Sequence, residues 1–196
     1  TTTVQTTTTQ QVSIANETAV STTSSGTSVS QATAAASSSQ NQSKYEANVA
    51  SVAGKMDNRV IAAYQQLGFK LVVDPSVNYS GYFDARSRSI TMKQIDDSVY
   101  HELGHFLAFI AGNVDKTASF QSIFAAEKAN VTAFNKAYVT HNASEYFAES
   151  VKDYILNNAS LKNTRPQTYA AVQNALNQIT DAQIAKIQKI YGAFWN

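Results

Sequence analysis

The 196-residue chain contains no cysteine. Disulfide frameworks, thiolate metal sites and thiol nucleophiles are excluded at once, and His, Asp and Glu are left as the side chains that can hold a metal ion. Proline is nearly absent. Its two residues read as punctuation: Asp74-Pro75-Ser76 stops a short β-rich run over Lys70–Val73, and Pro166 suits the start of a helix. No apolar run approaches the roughly 18 residues that a membrane-spanning helix needs, so no membrane insertion is expected. Neither sign of charge dominates. The formal net charge is +1, which gives no basic footprint for nucleic acid, and no nucleic-acid partner is expected.

What is present divides the chain in two. Residues 1–43 are mostly Thr, Ser, Gln, Asn and Ala, and Glu17 is the only charged residue before Lys44. Such a stretch has little apolar side chain to bury and cannot offset the entropy of ordering its backbone, so it reads as a disordered tail or linker. Residues 44–196 read as one folded domain. Helical spacing of Val49, Val52, Met56, Val60, Ala63 and Leu67 predicts a helix from Tyr45 to Leu67, ended by Gly68. Gly81 to Met92 reads as two strands around Ala85–Ser89. Asp96 or Asp97 is placed to cap a helix carrying Tyr100 to Ile110. Further helical patterns cover Ala118–Lys128, Ser144–Leu156, Gln167–Ile179 and Asp181–Phe194, the last with Asp181 as its cap. The fold class expected is α+β, mostly helical, with a small early sheet.

The chemistry concentrates in His101-Glu102-Leu103-Gly104-His105. Positions four apart lie on one face of a helix, so both imidazoles can point at one ion. Glu102 is turned about 100° away, wrong for a ligand but able to reach a water on the metal. That is the arrangement of a zinc hydrolase, with a carboxylate as general base. Gly104 costs about 1 kcal/mol relative to Ala in a helix, so it needs a reason, and close approach of another backbone is one. The longer Gly-and-His extension of some zinc peptidases is missing, because Ala108 and Ala111 stand at those positions. A third ligand must come from downstream acids. Glu145 and Glu149 are four apart, so one can bind metal while the other holds a histidine. Glu127 competes for the ligand role. His141, four before Glu145, fits a solvent-facing or helix-end histidine better than a ligand.

Together, His-Glu-Leu-Gly-His and, about forty residues on, Glu-Tyr-Phe-Ala-Glu-Ser resemble the catalytic domain of the anthrax lethal factor-like peptidases, and among them the small secreted Pro-Pro endopeptidases of Gram-positive bacteria. The resemblance runs over roughly 47–178 and takes in Phe120-Gln121-Ser122-Ile123-Phe124 and Pro166-Gln167-Thr168-Tyr169. It implies a thermolysin-like zincin domain binding one zinc ion per chain through His101, His105 and Glu145. Glu102 is then the general base, Glu149 an outer-shell residue, and Tyr138, seven before the third ligand, the hydroxyl that steadies the oxyanion. It further implies a secreted or cell-surface endopeptidase, expected as a monomer, acting on an extended peptide or protein. The Gly/Trp-rich loop that selects proline in the Pro-Pro enzymes has no counterpart: Asp74–Met92 is short and the only tryptophan is Trp195. No strict Pro-Pro requirement is expected. The substrate is expected to pair with an exposed strand edge at Ser89, Ile90, Thr91, Met92 and Lys93. The alternative is a non-catalytic, surface-displayed binding module that keeps the peptidase fold.

Overall fold

The structure is a computed structural model and describes residues 43–195. The expected disordered tail therefore lies, but for Ser43, outside the described residues.

The described chain opens with strand β1 (Tyr45–Ala47), a short helix α1 (Val49–Val52) and helix α2 (Asn58–Gln66). The single helix expected from Tyr45 to Leu67 is thus corrected to three elements. Two polar residues break it. Asn48 accepts from Ala50 N–H at 2.9 Å and caps α1, and Asp57 accepts from Arg59 N–H at 2.9 Å and caps α2. The apolar spacing survives the break because Val49 of α1, Met56 of the turn between, and Val60 and Ala63 of α2 all enter one core. Gly68, at φ +73°, supplies the left-handed turn that ends α2.

Strands β2 (Lys70–Val73), β3 (Gly81–Asp84) and β4 (Ser89–Met92) complete a four-stranded sheet in the order β1-β2-β4-β3. The hairpin expected over 81–92 forms with Gly81 opposite Met92 and Asp84 opposite Ser89. Because β3 folds back on the outside, β4 lies parallel to β2, Leu71 opposite Ile90 and Val73 opposite Met92. These four side chains alternate inward along their strands and are buried. The topology overturns one expectation. Ser89–Met92 is an inner strand, with its backbone groups shared between β2 and β3, so it offers no edge to a peptide. Lys93, just past it, donates its N–H to Ser80 C=O at 3.0 Å. Among the described residues, the edges of the sheet are β1 and β3.

The remainder is helical: α3 (Ser98–Ile110), α4 (Ala118–Glu127), α5 (Lys136–Val139), α6 (Ala143–Leu156), α7 (Asn158–Thr164), α8 (Pro166–Asn177) and α9 (Asp181–Tyr191). Helix α3 is buried on nearly every side, with Val99, Leu103, Phe106, Leu107, Phe109 and Ile110 all in the core. Such a helix must be covered on all sides, and it lies between the sheet and α6. Asp96 rather than Asp97 serves its first turn, accepting from Ser98 N–H at 2.9 Å. The cap of α9 is Thr180, which accepts from Gln183 N–H at 3.2 Å, and not Asp181. That helix runs to Tyr191 and continues as a 3-10 turn over Gly192–Phe194, so the helical run ends at Phe194 as expected. Trp195 then closes an aromatic group with Phe69, 5.8 Å away between ring centres, and Phe109, 6.4 Å away, and donates its indole N–H to Ala85 C=O at 2.9 Å.

Candidate metal centre

Two helices make the site, and one contact sets their separation. A Cβ built on Gly104 falls 2.7 Å from both Cα and carbonyl O of Ala148. Glycine on α3 and alanine on α6 therefore let the two backbones touch. The side chains flanking that contact, His101 and His105 on one helix and Glu145 and Glu149 on the other, are brought face to face by it.

His101 Nε2 lies 3.1 Å from Glu145 Oε2, and His105 Nε2 lies 3.7 Å from the same oxygen. One donor atom from each of these three residues lies within 4.8 Å of the others, and no second such group of His, Asp and Glu occurs among the described residues. A tetrahedral zinc ion with bonds of roughly 2.0–2.1 Å separates its nitrogen and oxygen donors by about 3.4 Å. The spacings found here bracket that value, and the donor set of two imidazoles and a carboxylate suits zinc, so the residues fit the ion. Behind His101, Nδ1 lies 2.9 Å from Glu149 Oε2, an acceptor that holds a proton on Nδ1, so that Nε2 is the nitrogen that would give its lone pair to a metal. Helix α6 presents Glu145 in its first turn because Asn142 caps it, accepting from Glu145 N–H at 2.9 Å.

The electrostatics follow from burial and from these pairs. Burial works against a charged His101, but the carboxylates of Glu145 and Glu149 outweigh it and raise its pKa to about 9. Burial likewise disfavours the charge on Glu145 and Glu149, and the histidines reverse this: Glu145 is held well below the ordinary carboxylate range, and Glu149 is lowered by His101 and by Lys152, whose Nζ is 3.4 Å from its other oxygen. The cluster thus keeps its acids ionised and attracts positive charge. Glu102 behaves differently. It is 6% exposed, and desolvation raises its pKa above 4.5 in spite of the two neighbouring histidines.

A cleft of about 340 Å³ lies beside the centre and reaches it at His101, with Glu102, Glu149, Tyr138, Gly81 and Lys152 also in its lining. Tyr138 enters it from α5 and is 55% exposed; burial of its hydroxyl end and the charge of Glu145 raise its pKa to about 12, so it is a proton donor at any ordinary pH. Sequence reading missed Gly81 and Lys152. Lys152 had a signal, being three residues after Glu149 on the same helix face. Gly81 had none, because it reaches the site from the sheet.

Two residues weighed for the metal are placed elsewhere. Glu127 is buried at the start of α8, where it accepts from Gln167 N–H at 3.0 Å, Thr168 N–H at 2.9 Å and Thr168 Oγ1–H at 2.7 Å. Its charge offsets the positive end of that helix. His141 is exposed; its Nδ1–H donates to Tyr138 C=O, and its Nε2 accepts from the Asn142 amide at 2.7 Å. It steadies the cap of α6. Ser89–Lys93, expected beside the substrate, contributes no residue to the cleft lining.

A family model described as anthrax toxin lethal factor, N- and C-terminal domain, matches residues 85–175. The matched stretch runs from before β4 into α8 and contains both histidines of α3, Glu102, Tyr138, Glu145 and Glu149. No curated protein matches the chain.

Proposed function

We propose that this chain is a zinc-dependent endopeptidase, secreted or held at the cell surface, that cuts extended peptide segments of extracellular proteins. The observation that carries the reading is the single gap bounded by His101 Nε2, His105 Nε2 and Glu145 Oε2, with the carboxylate of Glu102 beside it on the same helix. The likeness to lethal factor over the same residues supports it.

In this reading His101, His105 and Glu145 would hold one zinc ion, and Glu149 would fix the ring of His101. Zinc supplies Lewis acidity, lowering the pKa of water toward about 7. Glu102 accepts a proton from the attacking water at its carboxylate and returns it to the nitrogen of the departing amine. Its buried setting beside two histidines suits both halves of that exchange. The Tyr138 hydroxyl donates a hydrogen bond to the carbonyl oxygen as negative charge grows there. The substrate lies along the outer edge of β3, the free sheet edge beside α3, with backbone groups setting its register. No strict requirement for a Pro-Pro bond is expected.

The test is metal analysis of protein purified without added zinc, together with cleavage of a degenerate peptide library. One zinc per chain and cleavage that a chelator stops support the reading. A His101→Ala, His105→Ala double variant with full zinc content would sink the site.

A further inference from the structure

Glycine at position 81 has no backbone reason. Positive φ among the described glycines is confined to Gly68 and Gly112, so the conformation at Gly81 is open to any residue. It sits in a four-residue strand, where glycine weakens packing and costs entropy. What a side chain there would meet is Glu102: an added Cβ falls 2.6 Å from its Oε1, 2.7 Å from its Cγ and 2.9 Å from its Cδ. Glu102 is buried and lines the cleft beside Gly81, and the space over Gly81 is the space its side chain occupies.

We propose that Gly81 is a positioning residue for Glu102, a gap in strand β3 that the carboxylate fills and that fixes its aim across the cleft. This rests on the peptidase reading above, in which Glu102 is the base. Gly104 makes the contrast. There an added Cβ meets the backbone of Ala148, which cannot yield without moving a helix. At Gly81 it meets a side chain, which can swing away at little cost to the fold but not without losing its place. The cost of filling the first gap is stability, and of the second, turnover.

The experiment is Gly81→Ala, measured as kcat and KM on a peptide that the wild-type protein cuts, with zinc content, thermal midpoint and a crystal structure. A misplacement of about 1 Å costs about 100-fold in rate. The expected result is a kcat about 100-fold lower with KM nearly unchanged, zinc still one per chain, an unchanged thermal midpoint, and a Glu102 carboxylate displaced in the crystal while His101, His105 and Glu145 keep their places. A full kcat overturns the proposal. So does a raised KM at full kcat, which would make Gly81 a point of close approach for the substrate backbone, and so does loss of zinc with activity. Wild-type protein that cuts no peptide overturns the peptidase reading itself; a carboxylate still in place in the crystal overturns the role of Gly81 whatever the kinetics.

Discussion

Glu102 and Tyr138 face the same cleft from opposite settings, one buried on the most apolar helix of the domain and the other on an exposed four-residue helix. Their replacement should act on rate and leave the metal alone, since neither is among the three donors. Glu102→Gln keeps the shape and removes the base. Its kcat is expected to fall by about 10²–10⁴-fold, the usual share of general-base catalysis, with zinc content unchanged. A quenched-fluorescence peptide assay and metal analysis on the same sample check it, and near-wild-type turnover would take Glu102 out of the mechanism. Tyr138→Phe removes one donor to the developing oxyanion and is expected to cost about 10²–10³-fold in kcat with zinc retained. A KM effect alone would make Tyr138 a substrate contact.

The crossing of α3 and α6 carries a prediction in which two effects oppose. By helix propensity alone, Gly104→Ala should stabilise the protein by about 1 kcal/mol. The added methyl meets the Ala148 backbone at 2.7 Å, however, and overpacking of that kind costs about 1–3 kcal/mol. Because the atoms struck are backbone, the clash is expected to win. The variant should show a lower urea midpoint and weaker zinc binding, since the helices that share the ligands are pushed apart. A midpoint equal to or above wild type would mean that the crossing has room. Most helices could be read from the chain, because α3, α4, α6, α8 and α9 carry their own periodicity and ends. Helix α7 was not. Its Asn158-Ala159-Ser160 opening looks like a loop, and it is held by burial of Leu161. Strand β1 was misread as helix because its partner, β2, lies some 25 residues on, and local spacing does not register a pairing at that distance.

For the domain as a whole, zinc would act as a clamp between helices that local sequence does not join. Ligands 44 residues apart meet on it, so binding should count toward folding. At a free zinc concentration about a thousand times Kd the stabilisation is about 4 kcal/mol, and for a chain of this size each kcal/mol moves the midpoint by about 2–4 °C. Chelation is therefore expected to lower the thermal midpoint by about 8–16 °C, and the His101→Ala, His105→Ala variant should be insensitive to chelator. Equal midpoints with and without chelator would argue against any metal held between α3 and α6.

The amino-acid sequence by itself determined the groups that can do chemistry here and which of them share a helix face. Absence of cysteine left N and O donors, and the i,i+4 spacing of His101 with His105 and of Glu145 with Glu149 follows from helix geometry alone. Those relations are local, and 3.6 residues per turn fixes them before any packing occurs. Only the tertiary structure decided which acid faces the histidines, that Glu127 is spent on the start of α8, that β3 and not β4 is the sheet edge beside α3, and that Glu102 lies against Gly81. Each of these is a contact between elements far apart in the chain. Such contacts are set by how buried faces fit together, and no pattern within one segment encodes that fit.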